Sequence, residues 1–185
     1  PVRLLRAYRI GACLNFAIEP KTLSAIQSHA DLIQNSAGER IREELFKLLG
    51  TRISHRFLSQ MAESKLLFKI FPELLGLKEC RLHDCLQPNA LVHTLAAYDH
   101  LEKMLTDPDQ YLPISLKPYY QHFDDTLNVL LKCCMLFHDI GRPRNHPAHK
   151  NGIHRYDEHE NKSADMAKAI CKRYKYATRH TSYIH

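Results

Sequence analysis

The sequence predicts an all-α fold, and three observations carry that expectation. Apolar residues recur at helical spacing, as at Leu23, Ile26, Ala30 and Ile33 and again at Ile41, Leu45, Leu48 and Leu49. No stretch alternates apolar and polar residues at period two over any length, so no sheet is expected. Helix-start chemistry stands where periodic segments open. Glu19-Pro20-Lys21-Thr22 places a proline near a first turn, and Ser36 with Glu39 has capping-box spacing.

The first element is a helix over 3–14. Leu4, Leu5, Tyr8 and the 12–14 region supply its apolar side, and Gly11 weakens it locally. Arg3, Arg6 and Arg9 fall at i, i+3 and i+6 and share a broad face. Three guanidinium groups on one face repel one another unless an anion sits between them. Phosphates would serve, and so would acidic residues elsewhere in the fold. A helix opening at Pro20 follows, then an amphipathic helix ending near Gly50. Further helices are expected over about 53–62 and 64–70, and Phe71-Pro72-Glu73-Leu74-Leu75-Gly76 closes this first set.

Residues 76–88 read as a linker ending in Gln87-Pro88-Asn89. A helix carrying His93 is expected over about 89–105. Residues 106–118 hold Pro108, Pro113 and Pro118 and read as a connecting loop. A long helix is expected over about 119–139, then a loop over 140–158 rich in His, Pro and Asn. A last helix begins near His159 and passes through Ala164, Ala167, Ile170 and Cys171. The chain reaches His185 inside what reads as one more helix. The expected organisation is therefore 1–75, a linker over 76–88, and a second helical domain over 89–185.

With 185 residues, 44% of them hydrophobic, the chain can bury one large core or two small ones. No apolar run approaches the ~20 residues of a membrane span. Pro1-Val2-Arg3 opens directly onto a helical pattern, with no secretory signal and no initiator Met. The expectation is a segment cut from something longer. Six cysteines are scattered without a regular framework, and Cys133 and Cys134 sit in an apolar run as buried thiols would, which favours a reducing, cytoplasmic setting. Cys80-Arg-Leu-His83-Asp-Cys85 offers three soft ligands but lacks the second half of a tetrahedral zinc site. The net charge of +6 is compatible with a nucleic-acid partner. From 166 to 185 there is no acidic residue, while Lys168, Lys172, Arg173, Lys175 and Arg179 are all basic.

The chemistry centres on Leu136-Phe137-His138-Asp139-Ile140-Gly141-Arg142-Pro143. An apolar run from Val129 delivers an adjacent His-Asp pair to the interior, and Gly141 and Pro143 then break the helix. A neutral imidazole and a carboxylate side by side suit a divalent cation, one ligand atom from each. Such a dipeptide also stands at many ordinary helix ends. Its weight comes from a joint pattern of His93, then His138-Asp139, then His154, and His159-Glu160 opening a helix. A helical bundle brings ligands of this kind together from facing helices. A cation held there would polarise a phosphoryl oxygen and supply hydroxide near neutral pH. His146 and His149 lie in the loop.

On those residues the second half resembles the HD domain of metal-dependent phosphohydrolases. His138 to Pro143, followed by the stretch from Gly152 to Ala164, is similar to the HD region of bacterial tRNA nucleotidyltransferases and poly(A) polymerases. The first half agrees. Arg3-Leu4-Leu5-Arg6-Ala7-Tyr8-Arg9, then Phe16 to Leu23, resembles the start of that family's neck helices. Glu39-Arg40-Ile41-Arg42-Glu43-Glu44-Leu45 is similar to its RNA-binding helical segment, which Phe71-Pro72-Glu73-Leu74 closes.

The resemblance implies an RNA-binding neck over 1–75 that contacts tRNA or another RNA 3′ end, with Arg3, Arg6, Arg9, Arg40 and Arg42 as nucleotide or RNA contacts. It implies a divalent metal in the second half on His93, His138, Asp139 and His159, with His154 and Arg142 around it or facing substrate. Arg142 stands where the family usually has Lys, so a point charge becomes a fork. The family's final HD-domain Asp is expected beyond His185. The family's nucleotidyl-transfer head, with its Gly-Ser loop, metal-binding aspartates and Mg²⁺, is expected upstream of Pro1, where CTP and ATP would be used. Two other readings fit the residues: a stand-alone HD phosphohydrolase acting on nucleotides, or a non-catalytic RNA-binding module.

Overall fold

The helical periodicity resolves into helices in a computed structural model that describes residues 1–80, 87–120, 123–144, 148–150, 153–155 and 159–184. In the first half, α1 (Arg3–Leu14) buries Leu5, Tyr8, Gly11 and Ala12, which share one helical stripe. Asn15 ends it in the left-handed conformation. Glu19 caps α2 (Pro20–Ser28) by accepting from the Thr22 backbone N–H at 3.1 Å. A 3₁₀ segment over Ala30–Asn35 leads to α3 (Gly38–Leu49), which buries Ile41, Leu45, Leu48 and Leu49. Helices α4 (Ser54–Glu63) and α5 (Leu66–Ile70) complete this half, closed by a 3₁₀ segment over Pro72–Lys78. The interior is anchored by Tyr8, whose hydroxyl donates to Ser64 Oγ at 2.8 Å.

The second half opens with α6 (Ala90–Thr106), capped by Asn89 through the Val92 N–H. Single-turn helices α7 (Pro108–Tyr111) and α8 (Lys117–Tyr120) precede α9 (Asp125–Phe137). Strands β1 (Ala148–Lys150) and β2 (Ile153–Arg155) pair antiparallel, with His149 opposite His154. Helices α10 (His159–Arg173) and α11 (Thr178–Ile184) then pack on one another and on α9. Among the described residues the fold is all-α apart from this short ribbon.

Five expectations need correction. Ser36 and Glu39 form no capping box: Ala37 is the capping residue, with no side-chain bond, and Ser36 Oγ is buried without a partner. The start of α3 is fixed instead by packing. A Cβ at Gly38 would lie 2.5 Å from the Arg173 carbonyl oxygen, and Glu39 is drawn into an ion pair with Lys175. The linker over 76–88 contains the end of a 3₁₀ segment, because Leu74 and Leu77 are fully buried and pull that backbone onto the core. The loop over 106–118 contains α7 and most of a second turn, since Asp107 caps a new helix at Pro108. The helix expected over 119–139 starts only at Asp125, because Asp124 accepts from the Leu127 N–H at 2.7 Å and sets the N-terminus there. The loop over 140–158 carries the β1–β2 ribbon, too short to show alternation. The Cys80–Cys85 zinc candidate depends on His83 and Cys85, which lie outside the described residues, as does His146.

The two halves share a buried polar joint that lies inside the common hydrophobic core. Lys132 of α9 is 5% exposed, and the three N–H groups of its Nζ are shared among four acceptors: Leu49 O (2.9 Å), Thr51 O (2.8 Å), Ser54 Oγ (3.2 Å) and Glu102 Oε1 (2.7 Å). Glu102 of α6 also accepts from the backbone N–H groups of Ser54 (2.9 Å) and His55 (3.1 Å). Its carboxylate thus caps the N-terminus of α4 from another helix, where the helix dipole favours negative charge. Tyr98 OH lies 2.6 Å from Ser54 Oγ and closes the network. Burial lowers the Lys132 pKa, against the pull of Glu102 in the opposite direction.

Candidate functional site

The site forms where α9 breaks. His138 is the residue after the last turn of α9, and Asp139 follows in the bend. His93 sits on the first turn of α6, held there by the cap at Asn89. Because α6 packs along α9, the imidazole of His93 comes within 5.9 Å of the His138 ring, centroid to centroid. One ligand atom each from His93, His138 and Asp139 lies within 4.8 Å of the other two. Helix α10 brings its first residue, His159, to the opposite side of the carboxylate.

Gly141 makes that approach possible. A Cβ there would lie 2.5 Å from the His159 carbonyl oxygen and 2.6 Å from the Ser163 nitrogen. Both are backbone atoms, so no side-chain adjustment relieves the clash. The Gly141 N–H donates to Ser163 Oγ at 3.0 Å, which fastens the break to α10.

The carboxylate of Asp139 is 2% exposed, and its two oxygens have different neighbours. Oδ1 is 2.8 Å from Arg142 Nε and 3.6 Å from His159 Nε2. Oδ2 is 3.3 Å from His138 Nε2 and 4.0 Å from His93 Nε2, and it has no hydrogen-bond partner despite being buried. Met135 O can only accept, so its 2.8 Å contact with His138 Nδ1 puts the proton on Nδ1. His138 Nε2 is therefore the nitrogen whose lone pair faces the carboxylate. A bare buried carboxylate oxygen beside two imidazole nitrogens is a donor set that fits a divalent cation.

Electrostatics at the site are dominated by Asp139. Burial alone would raise its pKa, but the hydrogen bond and charge that a protonated His138 offers, with the charges of Arg142 and His159, outweigh burial and lower it. Burial alone would lower the His138 pKa. The hydrogen bond that a proton on Nε2 would make to Asp139, the charge of that carboxylate and the Met135 carbonyl reverse that, so the imidazole is more basic than usual.

Residues 15–89 match the family described as "Probable RNA and SrmB- binding site of polymerase A". A CC-adding tRNA nucleotidyltransferase of Geobacter sulfurreducens is 53% identical over 49 residues, 26% of this chain and 11% of that protein. A CCA-adding enzyme of Levilactobacillus brevis is 50% identical over 48 residues, 26% of this chain and 12% of that protein. Poly(A) polymerase I of Salmonella typhimurium is 36% identical over 74 residues, 40% of this chain and 16% of that protein. Residues 15–89 are thus similar to the RNA-binding region of tRNA nucleotidyltransferases and poly(A) polymerases.

The stretch that matches this RNA-binding region runs from the end of α1 to the foot of α6. The matched stretches span only about a tenth to a sixth of these family relatives, 11 to 16% of their lengths. The arginines singled out in the first half have distinct settings. Arg6 and Arg9 of α1 reach Glu44, at 3.7 and 2.9 Å, so an acidic residue of α3 stands between them. Arg3 and Arg40 are exposed. Arg42 Nη1 donates to the Tyr174 carbonyl at 3.4 Å and to the Lys175 carbonyl. The His154 side chain lies outside the described residues.

Sequence reasoning missed Glu44 as the counterion of Arg6 and Arg9, and it missed the Lys132–Glu102 joint. The signal for the joint was present. Lys132 is a lone charge in an apolar helical run, and a charge at a fully buried position needs a partner. Among the described residues, no helix is long and apolar enough to cross a membrane.

Proposed function

We propose that residues 1–75 bind the 3′ region of tRNA or a related RNA, and that the second half, over 89–185, holds a divalent cation and hydrolyses phosphoesters. The RNA half of the reading is supported by the family match over 15–89. The hydrolase half rests on one observation: the buried, unpartnered Oδ2 of Asp139 faces the Nε2 atoms of His93 and His138.

His93, His138 and Asp139 would hold the cation, with His159 a further candidate from the Oδ1 side. A cation bound there supplies a Lewis acid for a phosphoryl oxygen and a hydroxide near neutral pH. The chain's own residues do the rest. Met135 holds the His138 ring in one tautomer and orientation. Arg142, beside Oδ1, keeps Asp139 ionised and presents a guanidinium fork suited to phosphate oxygens. His154 would contact substrate. In a protein where a nucleotidyltransferase domain precedes Pro1, the RNA half would present a 3′ end to that domain, which would use Mg²⁺ with CTP or ATP.

The deciding experiment compares wild type with His138→Ala for metal-dependent hydrolysis of bis(p-nitrophenyl) phosphate and for binding of a 3′-truncated tRNA transcript. Loss of hydrolysis with RNA binding intact supports both halves. RNA binding without hydrolysis in wild type, at any of Mg²⁺, Mn²⁺, Co²⁺ or Ni²⁺, makes the chain an RNA-binding module. Hydrolysis of nucleotides without RNA binding makes it a stand-alone phosphohydrolase.

A further inference from the structure

A cleft of about 420 Å³ lies where α3 meets the corner between α10 and α11. Arg42, Phe46 and Lys47 line it from α3, and Lys175, Ala177 and His180 line it from the other side. One acidic residue, Glu43, is also in its wall. Arg42 fixes the floor by bonding the carbonyls that end α10. The imidazole of His180 stacks on Phe46, with centroids 5.9 Å apart and planes at 24°. His180 Nε2 is buried and has no hydrogen-bond partner. Arg179 stands beside it, exposed. Burial first, then the charges of Arg179 and Arg42, hold the His180 pKa below its ordinary value.

Cations from both halves around an aromatic plate are what a groove for nucleic-acid backbone requires: charges for phosphates and a flat face for a base. The chain after Asp165 contributes bases and no acid. The cleft is also continuous with α3, which lies within the family's RNA-binding segment. The helices that complete it, α10 and α11, lie outside that segment.

We infer that the RNA-binding surface extends past the family segment onto α10 and α11, and that the Arg42–Phe46–Lys47–His180 cleft takes phosphates of the RNA backbone with Arg179 at its edge. This rests on the reading that the chain binds RNA. Lys47 and Arg179 are both exposed, so replacing them leaves the core untouched.

The test measures binding of a 3′-truncated tRNA transcript to the 185-residue chain from 50 to 300 mM salt. Wild type is compared with Lys47→Ala/Arg179→Ala and with the charge-conserving Lys47→Arg/Arg179→Lys. Two lost phosphate contacts flatten the slope of log affinity against log salt by about 1.4–1.8 and weaken binding roughly 30-fold at 0.1 M. The charge-conserving variant keeps the wild-type slope. Wild-type binding with an unchanged slope in the alanine variant overturns this extension and leaves the RNA half standing. No binding by wild type overturns both.

Discussion

Lys132→Met should destabilise the whole chain, because Lys132 joins its two halves. The substitution keeps side-chain volume but removes the ammonium whose three N–H groups serve Leu49 O, Thr51 O, Ser54 Oγ and Glu102 Oε1. It leaves Glu102, 6% exposed, as a buried charge without its cation. Breaking one side of a buried pair costs about 3–5 kcal/mol. Because both partners are almost wholly buried, solvent screening removes little of this. For a chain of this size the loss lowers Tm by roughly 6–20 °C. The partner substitution supplies the control. Glu102→Gln removes the stranded charge while its amide oxygen still accepts from the α4 N-terminus. Lys132→Met/Glu102→Gln should therefore be more stable than Lys132→Met alone, by about 1–3 kcal/mol. The assay is urea unfolding followed by circular dichroism and by tyrosine fluorescence. Both probes should give one coincident transition in wild type, as a shared core requires. A loss below about 1 kcal/mol in Lys132→Met, or two separate transitions in wild type, would refute the reasoning.

Three further outcomes follow from the geometry. Gly141→Ala puts a methyl against the backbone of α10, so stability should fall by about 1–3 kcal/mol and divalent-metal affinity should weaken as His159 is pushed away; a calorimetric titration that matches wild type contradicts this. The His138 pKa is raised above 6.5, so the metal-free site carries a proton there at lower pH that a cation must displace. Metal affinity should therefore climb as pH rises from 6 to 8, with proton release on binding, and a flat profile would exclude His138 as a ligand. Burial pushes the Cys133 thiol up from 9.0 to about 12 and the Cys171 thiol up to about 11. The folded state keeps those protons while the unfolded chain loses them above pH 9, so stability falls as pH rises past that point. At pH 8 iodoacetamide should modify exposed Cys13 in the native protein and spare Cys133 and Cys171.

Much of this architecture is legible in the sequence because it depends on local periodicity. Ile41, Leu45, Leu48 and Leu49 announce α3, and each is buried. Asn89 and Glu19 each stand just before a helix and cap it. Ser36 misled because its spacing to Glu39 is local, whereas the contacts that position Gly38 and Glu39 come from residues 173 and 175. The break between α8 and α9 turned on a single cap at Asp124, weighed against a continuous run of helix-compatible residues.

At the candidate site, the grouping of His93, His138 and Asp139 was visible as a joint pattern, and the structure brings those three residues together. The division of labour between the Asp139 oxygens was not visible. It depends on where α10 approaches, which Gly141 permits and no spacing rule encodes. The same holds for Arg6 and Arg9, whose counterion sits 35 residues beyond Arg9 on a different helix.

The most direct measurement is the stoichiometry of divalent-cation binding, taken by isothermal calorimetry with Mn²⁺ and repeated with Asp139→Asn. Asparagine keeps the size of the side chain and removes the charge that two imidazoles face. The account predicts one cation per wild-type chain and at least a hundredfold weaker binding in the variant, equivalent to about 2.8 kcal/mol. Equal binding by the two proteins, or none by wild type, would contradict it.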